Sequence, residues 1–173
     1  MSFRLAALQA RPNFAGEKIV GLVLGAVLLL GLIAYFAAPG GTMLILRGIA
    51  AEHAPKGQLD DAAAEQYARA TGYRGRVLDV AGGTPEQMQQ TLDSIRNGRG
   101  VRALYGFSGG GYALVNVWNQ LLAEERSRIE RLVVVGAPGI TEASFPGARE
   151  VVIQPDPPEG HMEGPRALLR AMQ

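Results

Sequence analysis

From residue 42 onward, short apolar runs alternate with stretches whose apolar positions recur at helical spacing. "TMLILRG" at 42–48 predicts a buried strand, and "QLDDAAAEQYARATG" at 58–72 a helix stopped by glycine. "RVLDVAG" at 76–82 reads as the second strand. Thr84 then stands as a cap, Pro85 in the first turn and Gln87 three residues beyond the cap. That pattern satisfies the free backbone donors of a helix start. Met88, Leu92 and Ile95 give this helix an apolar face, and Asn97 and Gly98 end it. "VRALYG" at 101–106 predicts a third strand. Residues 110–126 predict one helix with Ala113, Leu114, Val117 and Leu121 facing inward. "RLVVVG" (131–136) and "REVVIQ" (149–154) bring the strands to five, and Pro165 opens a short last helix. The alternation predicts an α/β fold, a parallel sheet of about five strands covered by helices on both faces. In such sheets function collects at the carboxyl ends of the strands.

Ahead of this pattern lies a different one. Residues 19–38, "IVGLVLGAVLLLGLIAYFAA", carry no charge and match the ~20 residues a helix needs to cross a ~30 Å hydrocarbon core. A secretory signal has an apolar region of ~7–15 residues and small residues before its cleavage site. Here Tyr35 and Phe36 occupy the −3 positions for cuts after Ala37 and Ala38, and Pro39 follows. The expectation is therefore an N-terminal segment 1–18, a transmembrane helix 19–38 and one α/β domain 39–173, with the lipid bilayer as partner. Arg4, Arg11 and Lys18 precede the span and Arg47 follows it. The positive-inside tendency then puts the N-terminus in the cytoplasm and the domain on the far side, the periplasm in a Gram-negative cell. Gly21 and Gly25 have the spacing at which two spans approach closely, a hint of a homodimer.

Composition narrows the chemistry. Seventeen basic and sixteen acidic side chains leave a net charge of +1, and no basic stripe with interleaved aromatics suggests nucleic acid. The absence of cysteine removes disulfides, thiolate catalysis and cysteine-based zinc sites. With only His53 and His161 available, no metal site is expected, and no cofactor.

One segment carries chemistry. Gly106-Phe107-Ser108-Gly109-Gly110 fits G-x-S-x-G between a predicted strand and a predicted helix. The turn is so sharp that residues two before and two after the serine must be tiny, which Gly106, Gly110 and Gly111 satisfy. It lifts the serine hydroxyl above the sheet and aims the N–H of Gly109 where an oxyanion forms. A phosphate cradle is the rival reading of glycines opening a helix. "GFSGGG" and the similar "DVAGGTPEQ" at 79–87 lack both the G-x-G-x-x-G spacing and a Gly-Lys-Ser/Thr ending.

On the strand–"GFSGGG"–helix unit, the alternation from residue 42 and a late "EGHMEGP", the chain resembles the α/β-hydrolase superfamily. The resemblance implies a serine nucleophile, a histidine near the C-terminus and an acid between them in chain order. Ser108 and His161 match the first two, His161 as the base that takes the serine proton. Asp156 has the right chain order for the acid but stands only five residues before His161. Glu142, after the preceding strand, and Glu159 are the alternatives. The second oxyanion donor would come from "RGIAAEH", from the N–H of Gly48 or Ile49, with His53 nearby as a loop or substrate-contact residue. The implied activity is a membrane-anchored serine hydrolase of esterase, thioesterase or lipase type acting on a small acyl substrate. The opening antiparallel strands and the cap of many hydrolases are missing. An inactive α/β-hydrolase-like scaffold, serving binding or assembly at a membrane, is the second reading.

Overall fold

The computed structural model describes residues 23, 40–48, 61–78, 84–98 and 100–173. The chain divides into two compact units, Met1–Ala38 and Pro39–Gln173. Apart from Val23, all described residues belong to the second. The apolar stretch at 19–38, with Gly21 and Gly25, otherwise lies outside them. Among the described residues no helix is long and apolar enough to cross a membrane.

The second unit is built on strands β1 (Thr42–Leu46), β2 (Arg74–Val77), β3 (Val101–Phe107), β4 (Arg131–Val135) and β5 (Val151–Gln154). They form one parallel sheet in the order β2-β1-β3-β4-β5. Helices α1 (Asp61–Ala70), α2 (Pro85–Asn97), α3 (Gly109–Gln120), α4 (Ala123–Ser127) and α5 (Gly164–Arg170) run between and after them. Strand β3 sits at the centre and is covered on both sides, so every residue of "VRALYGF" except Arg102 is buried, with no alternation.

Alternate residues of the strands feed two cores. Leu44, Leu46, Leu104, Leu132 and Val134 pack against Leu92 and Ile95 of α2 and Leu114, Val117 and Trp118 of α3. Met43, Ile45, Tyr105, Val133 and Val135 pack against Ala64, Tyr67 and Ala68 of α1 and Leu168 of α5. Each fully buried leucine or valine contributes about 1.5–3 kcal/mol by leaving water. Trp118 is wholly buried, and its indole N–H donates to the carbonyl of Pro146 at 3.2 Å.

Two features depart from the sequence expectation. The helix at 110–126 is broken, because Leu121 and Leu122 both adopt extended backbone angles between α3 and α4. Leu121 stays in the core while Leu122 turns outward. The restart is stabilised by Glu125, whose carboxylate accepts from the Leu122 N–H at 2.8 Å and from Arg96 Nε at 2.9 Å. The backbone N–H of Leu122 first, then Arg96, hold the Glu125 carboxyl below its ordinary range. The second departure is in the strand starts, β2 opening at Arg74, ahead of the expected 76, and β5 at Val151, after the expected 149. The capping box at Thr84 forms as its residues predict, with Gln87 N–H donating to Thr84 Oγ1 and Thr84 N–H to Gln87 Oε1.

Register decides which loops meet. Leu46 pairs with Gly106, Gly106 with Val134, and Val134 with Ile153. That row runs across four strands just below their carboxyl ends. The residues that follow it in sequence therefore emerge side by side. Connections from β1 and β3 lead in opposite directions along the sheet, and this reversal opens a crevice at their carboxyl ends.

Candidate active site

Ser108 is the residue at which β3 becomes α3. Its φ of 53° and ψ of −120° make it the sole non-glycine residue with positive φ among those described. A side chain there is strained by about 1–3 kcal/mol and persists only where the surroundings dictate it. They do so through close packing. A Cβ on Gly106 would lie 2.5 Å from the carbonyl oxygen of Gly110 and 2.8 Å from the Cα of Gly111. One on Gly110 would strike the carbonyl oxygen of Leu46, and one on Gly111 would approach Ala137 Cβ to 2.7 Å. The three glycines thus let α3 start directly against the ends of β1, β3 and β4. Backbone bonds from Ser108 N–H to Val135 O (2.8 Å) and from Gly111 N–H to Ser108 O (2.9 Å) fix the turn.

Gly109 is the first residue of α3, where N–H groups lack an intrahelical partner. Gly48 is buried beside the serine, its would-be Cβ 3.3 Å from Ser108 Cβ. The preceding residue, Arg47, is anchored by a buried ion pair to Asp61 at the start of α1, 3.1 Å from Nε to Oδ1. That pair ties the loop leaving β1 to the helix behind it. Ile49 and His53 lie outside the described residues, as do 79–83 after β2.

His161 and Asp156 occupy the segment after β5. His161 Nδ1 lies 2.8 Å from Asp156 Oδ1, and the two side chains are 40% and 36% exposed. Glycines bring them down onto the sheet. Gly160, at φ 121°, turns the chain into His161, and Gly164 lies where a Cβ would be 2.9 Å from Val135 Cγ1. Gly136, at φ 59°, forms the floor, and a Cβ there would be 2.7 Å from Asp156 Oδ1 and 3.0 Å from His161 Cε1. The ring of Phe107 stacks on the imidazole, 4.9 Å between centroids at 24°.

The elbow and the His161–Asp156 pair therefore meet at the ends of β3, β4 and β5. Among the described residues the Ser108 hydroxyl has no hydrogen-bond partner, and His161 bonds Asp156 alone. Glu142 lies exposed in a 3-10 turn, Glu142–Ser144, and Glu159 is exposed in the loop before His161. Neither is hydrogen-bonded to the imidazole. Among the described residues no cluster of three or more acids and histidines could hold a metal ion. Sequence reading missed Phe107, Gly136 and Gly164. A glycine directly after β4, in "VVVGAPG", was the available signal for the floor.

The second unit is thus a five-stranded parallel sheet with helices on both faces and a serine turn at the end of its central strand. Neither a protein-family model nor a curated protein sequence matches the chain. Among solved structures it is similar to a Trichoderma reesei cutinase in complex with a C11Y4 phosphonate inhibitor. The two share 20% identity over 74% of this chain and 67% of that one, with a TM-score of 0.47.

Proposed function

We propose that this chain is a serine hydrolase cleaving an ester, thioester or similar acyl bond, anchored by residues 19–38 with its α/β domain outside the cytoplasm. The observation that carries the reading is a serine in a strained, glycine-walled turn beside a histidine already oriented by a carboxylate. With Nδ1–H donating to Asp156, the neutral imidazole keeps its lone pair on Nε2. Nε2 takes the Ser108 proton as Oγ attacks the acyl carbon. The oxyanion receives the N–H of Gly109 and a second N–H from Gly48 or Ile49. Collapse expels the leaving group, which collects the proton from His161, and leaves the acyl group on Ser108 Oγ. A water molecule, deprotonated by His161, then attacks the acyl carbon, the bond to Ser108 Oγ breaks, Oγ takes the proton back from His161 and the acid leaves. Asp156 holds the tautomer and stabilises the imidazolium throughout.

The second reading, a binding scaffold without catalysis, is favoured by the unpartnered Ser108 hydroxyl. In unliganded sites such bonds are often long and close only around substrate. Labelling of the detergent-solubilised full chain with a fluorophosphonate separates the two. An adduct on the wild type that is lost in Ser108→Ala and strongly reduced in His161→Ala supports the hydrolase. A folded wild type that takes no label leaves the scaffold.

A further inference from the structure

Because all five strands are parallel, their first residues share one edge, opposite the serine turn. That edge is rich in arginine. Arg74 opens β2, Arg131 opens β4, Arg102 is the second residue of β3, and Arg128 and Arg149 lie in the connections that lead into β4 and β5. Three acids there are matched. Glu125 bonds Arg96 at 2.9 Å, Glu150 bonds Arg131 at 2.8 Å, and Glu130 lies 3.8 Å from Arg102. Among the described residues Arg74, Arg128 and Arg149 form no ion pair, although Arg128 lies near enough to Glu125 to help lower its carboxyl.

Two clefts open along this edge. One, of about 150 Å³, is lined by Arg96, Arg102 and Arg128. The other, of about 320 Å³, is lined by Arg126 and Arg149. The Nε of Arg126 is buried and has no hydrogen-bond partner. Next to α4, Leu122 projects outward, 57% exposed. Guanidinium groups suit phosphate oxygens, which accept two parallel N–H bonds. A bare leucine among them suits an acyl interface rather than a nucleic-acid backbone. The sequence adds that β1, which starts at this edge, begins only three residues (39–41) after the uncharged stretch 19–38.

We propose that the strand-start edge of the domain is a docking surface for anionic phospholipid headgroups, with phosphates in the arginine clefts and Leu122 entering the interface. This goes beyond the hydrolase reading and does not depend on Ser108.

The chain has no cysteine, so a single one can carry an environment-sensitive fluorophore. The full chain bearing Ser127→Cys, or Glu159→Cys at the opposite edge, is reconstituted into vesicles of phosphatidylcholine alone or with phosphatidylglycerol. The Ser127 label should shift to the blue only with phosphatidylglycerol and revert at high salt, while the Glu159 label stays unchanged. Each arginine removed should weaken the contact about fivefold, so Arg128→Gln with Arg149→Gln should abolish the shift without lowering the Tm. Ser108→Ala should leave it intact, so failure of catalysis and failure of docking are read separately. Extraction by alkaline carbonate reports the anchor independently. An equal response to both vesicle types, a shift at both labels, or displacement by DNA as readily as by lipid would overturn the proposal.

Discussion

Phe107 and His161 stack face to face, 4.9 Å apart and 24° from parallel, so the residue before the proposed nucleophile also fixes the plane of the proposed base. Phe107 is itself buried at the end of β3. Its replacement by leucine keeps an apolar side chain of similar bulk, for which packing losses stay below about 1.5 kcal/mol. Phe107→Leu should therefore remain folded yet react with fluorophosphonate roughly tenfold more slowly, as the imidazole gains rotational freedom. Thermal unfolding and labelling rate, measured side by side, check this.

The Asp156–His161 bond yields a sharper prediction. Asparagine at 156 preserves size but offers an N–H where the carboxylate accepted one, which favours the wrong tautomer. Asp156→Asn should lower the labelling rate by on the order of 10²–10⁴ with little change in Tm. Glu142→Gln and Glu159→Gln, which make no hydrogen bond to the ring, should label like wild type. A normal rate in Asp156→Asn would remove this residue from the mechanism.

Gly136 should prove more damaging to activity than to stability. Alanine there costs about 1–2 kcal/mol in the left-handed backbone region. Its methyl would also press on both Asp156 and His161, at 2.7 and 3.0 Å. Those side chains are partly exposed and can swing away cheaply. Gly136→Ala should thus lose only a few degrees of Tm while labelling falls at least tenfold.

Glu125 links pH to the α3–α4 break. Its folded-state carboxyl is held below the ordinary value of 4.5, chiefly by the Leu122 N–H. A depressed carboxylate stabilises fully above the unfolded value, and that contribution is lost as pH falls through the folded one. Wild type should lose stability below pH 4.5 more steeply than Glu125→Gln. Near neutrality the variant should be less stable by about 1 kcal/mol, from the weakened cap. Urea unfolding across that range measures both.

Much of this architecture is legible in the sequence because it is local. The box at Thr84 and Gln87, the buried run of β3 and the glycines around Ser108 each act within a few residues of themselves. Strand order is not local, since a parallel crossover leaves no mark at the pairing it creates. The break in the helix expected at 110–126 leaves no mark in the sequence, because Leu121 and Leu122 continue an apolar pattern. The break depends on Glu125 reaching back to a backbone N–H and across to Arg96, 29 residues away. The acid was similarly ambiguous. Asp156, Glu142 and Glu159 all lie in loops after strands, and the sequence does not show that the turn at Gly160 and the floor at Gly136 bring Asp156 to the imidazole.

The short interval between Asp156 and His161 has a mechanical consequence. The proposed base and acid ride on one covalent loop, whereas the proposed nucleophile rides on the central strand, so the proposed site consists of two bodies rather than three. Motion of that loop would carry the imidazole to or from the hydroxyl without breaking the bond that sets its tautomer. In the proposed mechanism, activation would reduce to a single coordinate, the docking of one loop onto one turn.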